Sequence, residues 1–569
     1  MCAICTTRNE ITAGQISHKT EKYSRFYQST NPDMSNQTQT EQKADGQSLT
    51  ASIGRNTFFG IISNGAQVAT RLVTVPIVIH HLGLGGYGIW NIITMTAAYM
   101  RFGSVGVKTA FQKYVAEATG NGDYETANKL LSTGCAVMLL LSVGCLIPVS
   151  FFARQIVSAA GVPPEFLRSA AGAISLLAWI MVMSNVGAAY EAIVMGGHRI
   201  DLVRKFSTTL TVAEAIAIIA VLHFGFGLFA MSAVMGISEL LYITSCYLVS
   251  HNVVPQIRLR MKSVTRSVLY ELFRFAGSYQ LVNLLEILYA SIIPFAILRE
   301  FGAKDSGVYA IVSRVAVSAY VLLDAFLPPI LSGGAMVYAS GSPERMKALL
   351  IKAFKVTLGL SLFPLGFIAV FGPKMAYAWT GETDPFFRTA FLWVALTGVF
   401  RSFSLLSLVL YRVSGKAIMD NIRQVIRILI ILVTVLFAEQ LGFGGVLTGL
   451  AFAELVGMVF MIFALARTFK MFRVSDLIQD SLRWSTSAAV ILAAGWLAAQ
   501  IPLRSDGVTR ISSLIQLAGI CMVCMLVAWP ALFWTHAVTV SEGKTLLQSF
   551  ISRRATKTEA MVREEARSN

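Results

Sequence analysis

Charge is scarce in this sequence. Of its 569 residues only 14% are Asp, Glu, Lys or Arg, against about 25% in soluble proteins. Phosphate-cradling glycine loops are missing too. Gly543-Lys544-Thr545 has Val538 where the first glycine of GxxxxGK[ST] would stand, which excludes ATP-driven transport within this chain. With neither HExxH nor GxSxG present, no enzyme activity of those kinds and no cofactor is expected. Cysteine is sparse and scattered, seven in all. Cys2 and Cys5 form a CxxC with no second ligand pair, and Cys521 and Cys524 lie one turn apart in an apolar stretch, so both pairs read as incidental thiols without a metal.

What the chain has in abundance is apolar residues, at 55%, with 35 Phe and 21 Met. A mean hydropathy of +0.63 over this length indicates an all-α membrane protein crossing the bilayer many times. In a soluble protein the net charge of +16 would suggest nucleic acid. In a membrane protein Lys and Arg collect in cytosolic loops, so no nucleic-acid partner is expected.

Apolar runs long enough to span the hydrocarbon, about 20 residues each, fall near 57–81, 86–107, 129–151, 169–192, 206–224, 228–250, 273–298, 307–331, 351–372, 389–411, 425–439, 445–466, 485–502 and 512–537. That gives fourteen spans; the eleventh is short unless it borrows Asn421 to Gln424. Before them, residues 1–55 are polar with no apolar core of a signal peptide, and read as a disordered cytosolic tail. Residues 538–569 read as a basic cytosolic tail.

Placing the N-terminus inside puts eight basic residues in external segments: Arg154, Arg168, Arg299, Lys304, Lys374, Arg388, Arg504 and Arg510. Arg71, Arg101, Arg314 and Arg401 lie within spans, and the other 35 of the 47 fall on the cytosolic side. This asymmetry predicts two cytosolic termini. External segments are too short for a catalytic domain, which argues against a membrane polysaccharide polymerase.

Sliding the chain by 219 residues superimposes Asn64 on Asn283, Gln67 on Glu286, Gly83 on Gly302, and Gly88-Ile89-Trp90 on Gly307-Val308-Tyr309. Farther along, Gly122 meets Gly341, Asp201 and Arg204 meet Asp420 and Arg423, and Gly225 meets Gly444. One offset held over some 160 residues by glycines and polar residues marks an internal repeat. The expected architecture is two six-helix lobes related by a pseudo-twofold along the membrane normal, at 56–272 and 273–484, with an appended helix pair at 485–537.

The stretch Leu82-Gly83-Leu84-Gly85-Gly86-Tyr87-Gly88-Ile89-Trp90, following a helix with Asn64 and Arg71, resembles the start of bacterial polysaccharide transporters. Ala116-Glu117-Ala118-Thr119-Gly120-Asn121-Gly122-Asp123 resembles their first cytosolic loop. These belong to the multidrug/oligosaccharidyl-lipid/polysaccharide (MOP) flippase superfamily. The resemblance covers about 56–537. It implies a V-shaped two-lobe bundle that moves a polyprenyl-pyrophosphate-linked oligosaccharide unit to the outer leaflet for O-antigen, capsule or exopolysaccharide, alongside a polysaccharide polymerase. Within the superfamily, a multidrug or cation antiporter fits four intramembrane arginines poorly, and a peptidoglycan-precursor flippase remains a close alternative.

Asn64, Gln67 and Arg71 share one helix face, as do Tyr279, Asn283 and Glu286 on the repeat mate. An arginine at mid-membrane needs a partner or a wet cavity. The expected substrate residues are therefore Arg71, Arg314, Arg101, Asn64, Gln67 and Asn283, with guanidinium for phosphate and amides for hydroxyls. Glu286 and Asp324 are the candidates for coupling to H⁺ or Na⁺. The bland alternative pairs Arg71 with Glu286 and Arg401 with Glu454. Glu214, Glu239 and Glu454 read as structural partners, His80 and His81 as interfacial, and Asp201, Arg204, Asp420 and Arg423 as helix-start residues.

Overall fold

The structure, a computed structural model, describes residues 34–197, 199–259, 264, 266–339, 342–414, 418–468, 474–500, 509–535 and 537. Among these there is helix and no strand. In chain order the helices are α1 (Met34–Met100), α2 (Phe102–Asn121), α3 (Tyr124–Phe151), α4 (Ala153–Ala159), α5 (Pro164–Gly196), α6 (Ile200–His223) and α7 (Leu228–Val253). There follow α8 (Arg266–Ala339), α9 (Pro343–Thr380), α10 (Phe386–Val413), α11 (Ile418–Leu436), α12 (Ala438–Thr468), α13 (Val474–Ala499) and α14 (Arg510–Trp534). α1 begins at Met34, within the stretch expected to be a tail; 1–33 and 538–569 lie outside the described residues. Nine helices among the described residues are long and apolar enough to cross a membrane. Their outer surfaces expose Phe151, Phe224, Leu436, Met525 and Leu526, which water would penalise and lipid does not.

The repeat is written in the backbone. α1 breaks at Gly83 (φ 69°) and α8 at Gly302 (φ 89°), so each of these helices supplies two of the expected spans. Left-handed backbone also occurs at Gly161 and Gly381, and at Gly225 and Gly442. These positive-φ glycines pair at separations of 219, 220 and 217 residues, a conformation only glycine adopts cheaply. The last pair corrects the ungapped alignment: Gly442, not Gly444, is the conformational mate of Gly225. The Gly122-Asp123 motif is likewise a turn. Gly122 ends α2 in left-handed conformation, and Asp123 caps α3 by accepting from the Thr126 amide at 3.2 Å.

α1 to α7 pack among themselves, as do α8 to α12, and α13 and α14 pack on each other and on α9. The seam between the lobes is α1 against α8. It is reciprocal. A β-carbon on Gly88 would lie 2.6 Å from the Ala303 carbonyl oxygen and the Gly307 nitrogen, and one on Gly307 would strike the Leu84 carbonyl. Leu84 and Ala303, like Gly88 and Gly307, are repeat mates, so each lobe presents the same patch to the other, as across a twofold.

A second contact crosses this seam. Pro76 has no amide hydrogen, which leaves the Leu72 carbonyl one turn earlier without its helical donor. The Trp379 indole of α9 donates to that oxygen at 2.9 Å, and Arg510 of α14 donates to the Trp379 carbonyl at 2.6 Å. The appended pair, the second lobe and the bend of α1 are thereby tied in series.

Candidate functional site

Both arms of α1 border one cavity of 440 Å³, together with α6 and Arg314 of α8. Gln67 and Arg71 line it, as their shared face predicts; the Asn64 side chain lies outside the described residues. Arg314 reaches across the seam and donates to Asn91 Oδ1 at 3.4 Å. Arg71 and Arg314 thus face one space, and neither has an ion-pair partner among the described residues. Tyr87 forms part of the same wall, 2% exposed, its hydroxyl without a hydrogen-bond partner.

Three threonines on this wall use their hydrogens locally. Thr70 donates to the Gln67 carbonyl at 3.0 Å, Thr94 to the Asn91 carbonyl at 2.9 Å, and Thr74 to the Thr70 carbonyl. With hydrogens committed to the helix, their oxygens offer only lone pairs to the cavity. Glu214 of α6 completes it. Among the described residues Glu214 makes no ion pair within 4 Å, though Arg101 attracts it and Ser238 hydrogen-bonds to it. The nearby cations already hold other acids. Arg101 pairs with Glu239, and Lys108 with Glu191 at 2.5 Å. These four residues line a neighbouring 560 Å³ cavity that shares Ala98, Thr211, Glu214 and Met235 with the first. Arg101 therefore sits in an annex, apart from Arg71 and Arg314.

On its far side Arg314 borders an apolar groove of 830 Å³ between α1, α8, α9 and α14, walled by Leu72, Pro76, Phe367, Trp379 and Leu514. One guanidinium stands where a polar cavity and an apolar groove meet.

The carboxylates of the second lobe are differently used. Glu286 does not meet Arg71. It lies 3.4 Å from Arg401 and 3.8 Å from Arg427, and Gln424 donates to it. Arg427 is bound to Glu454, both 1% exposed, and stacks on the Tyr289 ring at 3.5 Å from its centroid. Tyr289 donates to Glu454 at 2.7 Å, and Arg423 to Asp420 at 3.0 Å. Glu454 is thus a structural partner as expected, but of Arg427, while Arg401 takes Glu286. The side chains of Tyr279, Asn283 and Asp324 lie outside the described residues.

Sequence reasoning counted Arg427 with the cytosolic flank; it is inside the bundle. A signal was there to read. Asp420, Arg423, Gln424 and Arg427 follow i, i+3, i+4, i+7 spacing, and α11 buries all four while exposing Ile418, Ile422, Val425, Leu429 and Leu436. The helix does borrow Asn421 to Gln424, starting at Ile418.

Residues 61–203 match the MatE family model. No curated protein sequence matches the chain. Among solved structures, the lipid II flippase MurJ in an inward closed conformation matches with a TM-score of 0.60 and 15% identity, over 82% of this chain and 98% of that one. An inward-facing multidrug resistance MATE family transporter matches at 0.57 and 16%, over 71% and 98%. A MOP superfamily transporter from Pyrococcus furiosus matches at 0.53 and 17%, over 74% and 95%. Part of the first lobe thus matches the MatE model, and the chain shares its fold with a MATE transporter and with MurJ.

Proposed function

We propose that the protein is a flippase whose cargo is an amphiphile with a polyprenyl-pyrophosphate-linked oligosaccharide head, destined for a surface polysaccharide. The observation that carries this reading is the position of Arg314, at the junction of the cationic cavity and the apolar groove. A water-soluble drug has no use for such a composite void, whereas a lipid-linked anion requires both halves at once. Arg71 and Arg314 would grip the pyrophosphate through paired N–H donors, Gln67 would meet the sugar, and the lobes would rock about the α1–α8 seam to alternate access. Arg101, Asn64 and Asn283 stay as outer contacts of the head group.

Coupling to H⁺ or Na⁺ is assigned to Glu286, with Asp324 as second candidate. Glu286→Gln removes the charge at constant shape; unchanged pH and sodium dependence of transport in that variant would refute the assignment. The chain is placed in the inner membrane with cytosolic termini, and labelling of a Ser35→Cys or Ser568→Cys variant by an impermeant reagent in intact cells would refute that topology.

The test of the main reading is genetic and biochemical together. Arg71→Ala and Arg314→Ala should each abolish export of the finished polysaccharide, with lipid-linked units accumulating on the cytosolic leaflet, and Arg71→Lys should retain part. Normal export in either Ala variant, at normal membrane abundance, would refute it. A peptidoglycan-precursor flippase is the second reading, favoured by the lipid cargo named for the MurJ structure; it requires arrested wall synthesis on depletion of the protein, with surface polysaccharide affected only secondarily.

A further inference from the structure

We infer that a cavity in the second lobe seats the sugar that adjoins the cargo's pyrophosphate, against Tyr309, Ser313 and Thr397. The inference rests on the flippase reading and places the sugar within it. The space, of 310 Å³, lies between α8, α10 and α12 and is bordered on the first-lobe side by Asn91 and Met95 of α1. It is the repeat mate of the first cavity. Tyr309, Ser313 and Arg314 stand where the first cavity has Trp90, Thr94 and Met95, and Tyr289 and Ala290 where it has Thr70 and Arg71. One fold, used twice, makes a space on each side of the α1–α8 seam.

The two spaces differ in chemistry. Ala290 in the place of Arg71 leaves the second without that cation. Arg314 apart, the charged side chains that line it have opposite charges beside them: Arg401 lies 3.4 Å from Glu286, and Glu454 holds Arg427. The second space is polar all the same. Ser313 donates to the Ala310 carbonyl at 3.1 Å and Thr397 to the Trp393 carbonyl at 2.8 Å, each within its own helix, so both oxygens keep lone pairs for a ligand's hydroxyls. Half-buried Tyr309 adds a ring whose apolar face suits the C–H side of a sugar.

Arg314 decides how the spaces are shared. Among the described residues it alone borders the first cavity, the apolar groove and the second-lobe cavity. A polyprenyl-linked sugar likewise has three parts, joined at its pyrophosphate. The isoprenoid takes the apolar groove, and the pyrophosphate takes the side of Arg314 where Arg71 also stands. The adjoining sugar, rich in hydroxyl donors, takes the second-lobe cavity. A volume of 310 Å³ is close to the lower limit, about 300 Å³, of sites that enclose a small molecule, which suits one sugar rather than a chain of them. Gln67, across the seam, is left to sugars farther along the oligosaccharide.

The experiment uses the purified full-length protein and two radiolabelled probes, a short polyprenyl pyrophosphate and the same lipid bearing one N-acetylhexosamine. The native protein should bind the glycolipid about tenfold more tightly, the fold-change that one or two net hydrogen bonds supply. The double variant Ser313→Ala, Thr397→Val, whose lost hydroxyls bond only within their own helices, should lower that ratio about threefold or more. Adding Tyr309→Leu should bring it to about one. Because the readout is a ratio within one preparation, a partly misfolded variant loses both affinities together and does not mimic the effect. Equal affinity for the two probes in the native protein, or an undiminished ratio in the triple variant, would overturn the sugar's placement and leave the flippase reading standing. So would a ratio abolished by Trp90→Leu, in the first cavity, and kept in the triple variant. Failure of both lipids to bind the native protein would overturn the flippase reading and the placement with it.

Discussion

The two lobes share a fold and divide in their electrostatics. In the second lobe, Arg314 apart, the buried charges are closed upon themselves: Arg401, Arg423 and Arg427 stand against Glu286, Asp420 and Glu454, equal in number and mostly buried. In the first lobe Arg71 and Glu214 face a cavity, and the ion pair of Arg101 with Glu239 has its cation 44% exposed. The networks do not occupy equivalent positions either. The repeat mates of Arg427 and Glu454 at the 219-residue offset are Thr208 and Met235. The glycines that shape the backbone, the patch where the lobes touch and the Asp201–Arg204 and Asp420–Arg423 pairs recur in both lobes, while Arg427 and Glu454 have no charged mate. The paired charges of the second lobe tie its helices together, whereas Arg71 and Glu214 of the first lobe and Arg314 of the second face the cavity.

The sharpest way to break this comparison is to unbalance the closed lobe. Arg427→Ala leaves Glu454 buried without its main cation, and such a loss costs about 3–5 kcal/mol. The variant should unfold well below the native protein in a thermal melt in detergent. Removing both charges in Arg427→Met, Glu454→Leu should recover most of that loss, because replacing a buried pair by packed apolar groups is often neutral. By contrast Arg101→Ala, whose pair with Glu239 borders an open cavity, should cost less than Arg427→Ala; comparable losses in Arg101→Ala and Arg427→Ala would erase the distinction between the lobes.

The shared patch comes next. Gly88→Ala forces a methyl into the backbone of Ala303 and Gly307, and overpacking of this kind costs about 1–3 kcal/mol. Gly65→Ala, with nothing within 4 Å of the added carbon, should leave stability unchanged or slightly raised. If both variants melt alike, the lobes do not meet at Gly88.

Smaller is the effect at the bend of α1. Trp379→Phe deletes a single hydrogen bond, about 1 kcal/mol. In a Pro76→Ala background the new amide at position 76 serves the Leu72 carbonyl from within the helix, so Trp379→Phe should then have almost no effect. Equal losses in the two backgrounds would show that the indole contributes packing alone.

The smallest effect is expected outside the membrane. Lys304, 2.8 Å from Asp384, has its ammonium pKa raised first by that hydrogen bond and then by the charge of the same carboxylate. A raised folded-state pKa means that the contribution to stability is complete below the unfolded lysine value of about 10.4 and fades as pH climbs through the folded value. A melt series from pH 7 to alkaline pH should therefore show Lys304→Met converging on the native protein; a gap that widens with pH would contradict the assignment.

Fold was more legible in this sequence than site. Apolar runs and glycines are local signals, and Gly83 and Gly302 announced both the repeat and its two breaks. Arg71 and Gln67 were legible because helical spacing puts them on one face whatever surrounds them. Partnerships were not. Arg71 and Glu286 sit at plausible matching depths, yet α11, distant in sequence, supplies the cations that Glu286 meets. Glu214 reads as an acid with a base, and only the packing of α2, α5 and α7 reveals that the nearby Arg101 and Lys108 form their ion pairs with Glu239 and Glu191 instead. Hydropathy hid Arg427 because the run of aliphatic neighbours in 425–436 outweighs one charge in a window average.

α11 also bears on how the protein is made. An arginine or aspartate at the centre of a membrane helix raises the free energy of insertion by about 2.5–3.5 kcal/mol, and this helix buries Asp420, Arg423, Gln424 and Arg427 on one stripe. The segment 418–436 is therefore expected to insert less readily alone than its aliphatic content suggests. Its counter-ion Glu454 lies one helix later, only 27 residues beyond Arg427. The expected route is release of α11 and α12 together as a hairpin with their charges engaged, so that membrane insertion of a reporter fused after 436 is poorer than that of one fused after 468. The residues that make the mature lobe rigid thus also set the order in which its helices can enter the membrane.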